Sequence, residues 1–388
     1  MVKLLFFGCW GYLGKGSGLK NVFASLNNTV SEGDHVVILG DNYYPSEKIK
    51  SKGEGESKKK NYFTSLREIG EVFEYLSILK QKNCHIHLLM GNHEYKDDTL
   101  KLEDYIKHKK GQRGGLKLIQ KGDPSKFKTF ALEYKYIKTL GLNSDIGICP
   151  IGGLPHTLLL KLDTNMFTKN KKGEEVTLPY KYNGSFTAQS LIGDQDFSDI
   201  QRIFICGHIP IGSKIYDKDT EKYKLDQSLP IELYDLIFEL VQNIKSKNEG
   251  IKIYYMCADT HYFQQVEIKM KRGDKNYQLE QFIAGTGGNK LDPWVDDTEN
   301  KIKYESVKRQ TKFHYEIVET QREHGYVMVV DTEEPEFVSV SQGGGYKKIK
   351  SSRKPKRKTK LKRKSKKLKR KSKKRKTKTK NKFDIKLN

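Results

Sequence analysis

The sequence lacks the long apolar run of a membrane-spanning helix. Nowhere does an apolar run approach the roughly 18 residues that cross a bilayer, so we expect no membrane partner. The apolar start, residues 1–13, is short, has one basic residue before its apolar core and leads to no small-x-small cleavage site. A buried first strand explains it better than a secretion signal. We therefore expect an intracellular protein, cytoplasmic or nuclear, that is not secreted.

Cysteine is scarce, and its spacing excludes the common cysteine motifs. The five residues are Cys9, Cys84, Cys149, Cys206 and Cys257. Their number is odd, and no two are close enough in sequence for a zinc knuckle or a redox CxxC motif. The pattern indicates a reducing compartment.

Acidic residues are absent from the C-terminal run 347–382, which contains 24 Lys and Arg and no aromatic residue. Nearly all of the net charge of +25 therefore lies in this run, and the rest of the chain is close to neutral. With little to bury, residues 343–388 are predicted to form a disordered tail beyond a domain of residues 1–342. Such a tail can bind nucleic acid or another polyanion without recognising sequence. Nuclear localisation, solubilisation and packaging are alternative roles.

The apolar pattern of the first 90 residues predicts a parallel α/β sheet. Strands at 2–7, 36–39 and 85–90 alternate with amphipathic helices at 19–30 and 62–81. Between the second strand and the second helix, the polar stretch 46–61 is expected to be an exposed insertion.

The rest of the chain is predicted to mix further helices with antiparallel strands. The expected helices are 99–110 and 230–244. The expected strands are 127–136, 156–162, 202–206 and 251–257, followed by the alternating segments 262–270, 277–284, 326–330 and 337–340. Residues 165–190 are polar and predict a loop.

Five of the apolar strands end close to side chains that can bind a metal ion. Taken singly, each strand end has an ordinary interpretation. Gly-Asp-Asn is also a turn sequence, and a buried cysteine is commonly a small apolar residue of the core. Taken together, they are expected to meet at one sheet edge, because parallel strands share the direction of their carboxyl ends. Carboxylate, amide, imidazole, and phenol or thiolate ligands suit Fe, Mn or Zn. The residues are Cys9, Asp41, Asn92, His208, Asp259 and His261.

These strand ends belong to motifs that occur in a characteristic order. The motifs are Gly8-Cys9-Trp10-Gly11, Gly40-Asp41-Asn42-Tyr43-Tyr44, Gly91-Asn92-His93-Glu94, Gly207-His208-Ile209-Pro210 and Cys257-Ala258-Asp259-Thr260-His261. In composition and order they resemble the calcineurin-like metallophosphoesterases, and most closely the purple (tartrate-resistant) acid phosphatase branch. The resemblance covers about residues 1–342. It implies a four-layer αββα sandwich, in which helices flank two mixed β-sheets.

The resemblance also implies a two-metal site that hydrolyses phosphate esters. Asp41 would bridge both ions, with Tyr44 and His261 on the first ion. Asn92 and His208 would bind the second ion. His93 would contact the phosphate and donate a proton, so Asp41 and His93 are the implied catalytic residues. Two cations can clamp the attacking and leaving oxygens of a phosphoryl displacement.

Two positions depart from the family pattern. Cys9 replaces the first aspartate of the family, and Asp259 replaces the first histidine of the last motif. A thiolate and a carboxylate can both bind metal, so both residues stay in the predicted ligand set. The alternative is a decayed site, in which Cys9 is packing and Asp259 is a polar turn. The soft thiolate favours Zn(II) or Mn(II), or a single ion, over a purple di-iron centre.

Three functional hypotheses follow from the sequence. The first is a metal-dependent phosphoesterase that acts on phosphomonoesters or phosphoproteins. The second is a catalytically impaired module that still binds phosphorylated ligands. The third is a polyanion-binding protein that acts through its tail, which is compatible with either of the others. A composition rich in Lys, Asn, Ile and Tyr suits an AT-rich genome, such as that of a large DNA virus or a protist. The substrate and the oligomeric state stay open.

Overall fold

The computed structural model describes most of the chain up to residue 348. The described residues are 1–44, 56–93, 140, 142, 146–165, 187–217, 219–220, 222–292, 303–340 and 346–348, with the backbone alone for 56–67 and 346–348. The predicted helix 99–110, the predicted strand 127–136 and the tail beyond residue 348 lie outside these residues. One compact unit spans Met1–Lys350.

The first sheet has six strands. They are β1 (Lys3–Phe7), β2 (His35–Ile38), β3 (His85–Leu88), β14 (Gly325–Val330), β15 (Glu336–Val340) and β16 (Tyr346–Lys348). Their order across the sheet is β16-β15-β14-β1-β2-β3. The first three strands in sequence are parallel to one another, as predicted, and the last three are antiparallel additions. The final strand extends the fold a few residues past the predicted boundary at 342.

The second sheet has eight strands. They are β4 (Gly147–Ile151), β5 (Leu154–Lys161), β6 (Arg202–Cys206), β9 (Lys252–Cys257), β10 (Phe263–Arg272), β11 (Lys275–Ala284), β12 (Lys303–Lys308) and β13 (Thr311–Gln321). Their order across the sheet is β12-β13-β10-β11-β9-β6-β5-β4. The centre, β11-β9-β6-β5, is parallel, and the strands on both sides are antiparallel. A separate hairpin joins β7 (Ser213–Asp217) to β8 (Lys222–Asp226).

The central strands are buried on both faces, and their side chains, which point alternately to the two faces of each sheet, contribute to three apolar layers. Between the sheets, Phe6 of β1 packs against Phe204 of β6, with ring centroids 5.2 Å apart. The outer face of the first sheet packs against α1 (Leu19–Thr29) and α2 (Glu56–Gln81). The outer face of the second sheet packs against α4 (Ile231–Lys247) and the short α3 (Ala188–Ile192). The predicted four-layer αββα sandwich is therefore confirmed.

Several local predictions need correction. Helix α2 begins at Glu56 rather than 62, because Glu and Lys are good helix formers even where no apolar face marks the helix. The predicted loop 165–190 ends inside α3, where Thr187 and Ser190 form a capping box. Strand β4 was not predicted because it contains Pro150, which an edge strand tolerates.

The length and apolar character of the helices can be compared with those of a membrane-spanning helix. None of the helices in the described part of the chain is both long and apolar enough to cross a membrane.

Candidate metal centre

The predicted ligands meet where the carboxyl ends of the two sheets face each other. Cys9, Asp41 and Asn92 follow β1, β2 and β3 of the first sheet, whereas His208 and Asp259 follow β6 and β9 of the second. The prediction of one shared sheet edge was therefore wrong. Sequence periodicity shows that a strand is buried, but it does not show to which sheet the strand belongs. Face-to-face packing brings the two edges together.

Unusual backbone conformations let these loops approach closely. Cys9, Asp41 and Asp259 have φ angles of 51°, 53° and 60°, in the left-handed region that non-glycine residues rarely adopt. A Cβ atom on Gly91 would lie 2.2 Å from Asp41 Oδ1, so this position requires glycine. Backbone strain of this kind tends to concentrate at functional sites. Here it coincides with three predicted metal ligands.

His208 is a fully buried side chain of the cluster. Its Nδ1 lies 2.7 Å from the Leu39 carbonyl, which can only accept, so Nδ1 carries a proton. The backbone N–H groups of His208 and Ile209 donate to Thr164 Oγ1. His208 Nε2 is buried and has no hydrogen-bond partner among the described residues. A buried polar atom in this state is costly unless something binds it.

Two carboxylates approach that nitrogen. His208 Nε2 lies 3.3 Å from Asp41 Oδ1 and 3.4 Å from Asp259 Oδ1, without hydrogen-bond alignment. Burial by itself lowers the pKa of His208, but the nearby Asp41 charge raises it well above its usual value. In the absence of a metal ion, the positive charge that a proton on Nε2 gives His208 therefore offsets the negative charge of the buried Asp41 carboxylate. A bound cation would replace that proton, so metal binding and proton release are coupled.

Asp41 is held in place by donors on both of its oxygens. The Tyr44 hydroxyl donates to Oδ2 at 2.5 Å, and the His93 backbone N–H donates to Oδ1 at 2.9 Å. Burial would raise the pKa of Asp41, but the His208 charge holds it well below the usual range. Asp41 therefore stays ionised although it is buried.

Cys9 completes a compact group of potential ligands. One ligand atom each from Cys9, Asp41 and His208 lies within 4.8 Å of the others, and all three residues are buried. Burial raises the pKa of the Cys9 thiol well above its usual value, and the Asp41 charge raises it further. Without a metal ion, the thiol therefore keeps its proton.

The cluster opens toward solvent on the side of Asn92, His93 and Asp259, which are each partly exposed. Asn92 Nδ2 donates to Asp259 Oδ1 at 2.8 Å. The ring centroids of His93 and Tyr44 lie 4.4 Å apart. A substrate can therefore approach the buried Asp41–His208 pair from this side.

His261 lies on the other side of Tyr44 and is held by residues that the sequence analysis missed. Its Nε2 lies 3.2 Å from the Tyr44 hydroxyl and accepts from Asn289 Nδ2 at 3.1 Å. Its backbone N–H donates to Asp292 Oδ2 at 2.8 Å. The available signal was weak: Asn289 and Asp292 follow the glycine-rich turn at the end of a buried strand.

The residues present fit a metal ion. Neighbouring ligand atoms of an ion bound at about 2.1 Å lie about 3.0–3.4 Å apart, and the separations around His208 Nε2 are 3.3 and 3.4 Å. Imidazole and carboxylate ligands suit several divalent ions. The predicted ligand set is thus brought together, from Cys9 to His261, although the role of each residue stays a prediction.

Comparison with known proteins gives a match to a family model and similarities to solved structures. A family model described as calcineurin-like phosphoesterase matches residues 2–263, which contain every strand-end motif. No curated protein sequence matches the chain. One similar solved structure is titled "GAP50 the anchor in the inner membrane complex of Plasmodium", with 11% identity, coverage of 91% of this chain and 90% of that chain, and a TM-score of 0.40. Another is titled "Structure of PhoD", with 12% identity, coverage of 89% and 68%, and a TM-score of 0.47.

Proposed function

Because the chain belongs to the calcineurin-like phosphoesterase family, we propose that it hydrolyses phosphomonoesters or phosphoproteins, in the manner of an acid phosphatase, at the Asp41–His208 cluster. The observation that carries the proposal is the buried, unpartnered His208 Nε2 between the Asp41 and Asp259 carboxylates. A bound divalent ion supplies Lewis acidity toward phosphoryl oxygens. Asp41, Asn92, His208 and Asp259 are the residues that would hold it.

The residues on the open side provide the remaining chemistry. The backbone of His93 is fixed by its hydrogen bond to Asp41, and its imidazole is partly exposed beside Tyr44. From there His93 would contact the phosphate and protonate the leaving oxygen, which is ordinary general acid catalysis by an imidazole. The fixed backbone orients the ring with respect to the metal ligands.

In the dinuclear form of this proposal, the centre would hold one more ion. Tyr44 and His261, with Cys9 nearby, would bind that ion, and Asn92 with His208 would bind the second. Fe, Zn and Mn are the candidate metals. Tyr44 and His261 already form hydrogen bonds, and these bonds would have to break before an ion could bind to both residues.

The experiment is hydrolysis of an aryl phosphate by metal-stripped protein after addition of Mn, Zn, Fe or Mg. We expect turnover that depends on the metal and is lost in Asp41→Asn. Asp34→Asn is the matched control, because Asp34 is equally buried but accepts from Ser31 and Lys3 backbone groups away from the cluster. Unchanged turnover in Asp41→Asn would refute the proposal. Binding of inorganic phosphate without turnover under any metal would favour the impaired binding module.

A second function is favoured by the charge of residues 347–382. Their 24 Lys and Arg residues provide many phosphate-neutralising groups and no acidic residue. We propose that this segment binds nucleic acid or a similar polyanion without sequence preference. This function is compatible with either form of the folded domain.

A further inference from the structure

The two sides of the metal centre differ in how their ligand atoms are already engaged. On the His208 side, the histidine Nε2 has no hydrogen-bond partner among the described residues. Asp41 Oδ1 and Asp259 Oδ1 lie 3.3 and 3.4 Å from it. Each of these oxygens accepts one hydrogen bond, from the His93 N–H and from Asn92 Nδ2, but a carboxylate oxygen keeps a second lone pair for a metal ion. The three atoms come from loops that follow strands of both sheets, and the two carboxylate oxygens each lie close to the same imidazole nitrogen. An ion bound there displaces no hydrogen bond of His208 Nε2.

On the opposite side, His261 already has partners for both ring nitrogens. Nδ1 lies 3.4 Å from Asp292 Oδ1, and Nε2 accepts from Asn289 Nδ2 at 3.1 Å. The Asn289 amide is fixed in this orientation, because its Oδ1 accepts the Lys290 backbone N–H at 2.7 Å. The lone pair that would bind a metal ion is therefore capped by an N–H donor.

The Tyr44 hydroxyl also already forms a hydrogen bond. It donates to Asp41 Oδ2 at 2.5 Å, so the second oxygen of the proposed bridging carboxylate already accepts a hydrogen bond. Binding an ion between Tyr44 and His261 would break this hydrogen bond and leave the Asn289 N–H without its acceptor. The loss of a buried hydrogen bond carries a real cost in free energy.

The two departures from the family pattern act in the same direction. Asp259 adds a carboxylate beside His208, on the side where Nε2 is unpartnered. Cys9 removes a carboxylate from the cluster and places a buried thiol there. Negative charge is therefore concentrated around His208, where a divalent cation gains most from it.

We infer that the centre binds one metal ion, held by Asp41, Asn92, His208 and Asp259. His261 is then not a metal ligand, because Tyr44, Asn289 and Asp292 hold it through hydrogen bonds at the side of the site. In this arrangement Asp41 links the ion to the Tyr44 hydroxyl instead of bridging two ions. The inference rests on the proposed metal-dependent function, because it concerns the number of ions at the same site.

The test is titration of the metal-stripped full chain with Mn²⁺, followed by electron paramagnetic resonance and elemental analysis. We expect saturation at one equivalent, with the spectrum of an isolated ion. Saturation at two equivalents with a spin-coupled spectrum would overturn the single-ion inference and leave the proposed function standing. The absence of Mn²⁺ binding, together with the absence of Zn²⁺ binding by calorimetry, would overturn both.

Matched variants locate the ion. Asp259→Asn should weaken Mn²⁺ binding by about tenfold or more, whereas His261→Gln should keep one ion with affinity close to that of the unchanged protein. Both positions are partly exposed in the same site, so general disturbance should affect them similarly. Thermal unfolding of each metal-free variant checks that it is folded. Equal loss of affinity in both variants, or loss only in His261→Gln, would contradict the inference.

Discussion

His208 Nε2 lies 3.3 Å from Asp41 Oδ1, and the two residues reach this distance from different β-sheets. Asp41 follows β2 of the first sheet, and His208 follows β6 of the second. The pair is fully formed only when the two sheets pack against each other. Metal binding at this point should therefore be linked to folding of the whole sandwich.

The first prediction concerns stabilisation by metal. Because the unfolded chain does not assemble this site, Mn²⁺ at a hundred times its dissociation constant should raise the free energy of unfolding by about 2.7 kcal/mol. Chemical unfolding with Mn²⁺ and with a chelator measures the difference. Asp41→Asn should lose this increment and Asp34→Asn should keep it. The same increment in both variants would show that the ion binds elsewhere.

The second prediction concerns the close approach of Gly91 to Asp41. A Cβ atom at Gly91 would lie 2.2 Å from Asp41 Oδ1 and 2.3 Å from Asp41 N. Gly91→Ala should therefore destabilise the fold by roughly 1–3 kcal/mol and weaken Mn²⁺ binding by displacing the carboxylate. Gly152→Ala is the control, because its nearest neighbour is 3.8 Å away. Normal Mn²⁺ affinity in Gly91→Ala would mean that the position of Asp41 does not determine binding.

The third prediction arises from a histidine cluster away from the metal centre. His35 Nε2 donates to the Gly152 carbonyl at 3.1 Å, and His87 Nε2 lies 3.1 Å from His35 Nδ1. Burial lowers the pKa of His35 from 6.5 to about 4. Burial, with the charge of Lys161, lowers the pKa of His87 to about 3. Both rings are therefore neutral in the folded protein at neutral pH.

These depressed pKa values predict acid sensitivity. The unfolded chain takes up protons on both histidines as the pH falls through 6.5, whereas the folded protein does so only near pH 4 and below. Their contribution to stability is thus complete above pH 6.5 and is lost as the pH falls through this window. His87→Gln should reduce that loss by roughly 3 kcal/mol, measured by urea unfolding between pH 7 and 4. The exposed control His156→Gln should not, and an identical pH dependence in all three proteins would contradict the prediction.

The fourth prediction concerns the basic tail. Removal of residues 351–388 leaves β16 and the compact unit intact, so the metal affinity and the thermal unfolding of the folded domain should not change. Binding to a random-sequence oligonucleotide should be lost. For the full chain, affinity should fall by about a thousandfold or more between 50 and 200 mM salt, as expected for several phosphate contacts. Binding that survives the truncation would place the polyanion site on the folded domain.

The sequence predicted local elements better than their arrangement. The strand 202–206 matches β6 (Arg202–Cys206) at both ends, because it is a continuous apolar run. The strands at 326–330 and 337–340 were also located, but nothing in their alternation shows that they join β1 in the first sheet. Sheet membership depends on packing between distant segments, which single-sequence periodicity does not report.

In the candidate site, too, residues next to a strand could be predicted from the sequence, whereas residues that matter through distant contacts could not. Strand-end residues such as Asp41 and His208 could be found because a ligand-type side chain directly follows an apolar run. Asn289 and Asp292 could not, because their importance comes from contacts with His261 across the site. The left-handed backbone at Cys9 and Asp259 also gave no sequence signal, since neither residue is a glycine.

The most direct measurement is anomalous X-ray diffraction from crystals of the full chain grown with Mn²⁺. We expect one anomalous peak per chain, within bonding distance of Asp41, His208 Nε2 and Asp259. A crystal without any peak at this cluster, or with its peak beside other residues, would contradict a metal centre built on the Asp41–His208 pair.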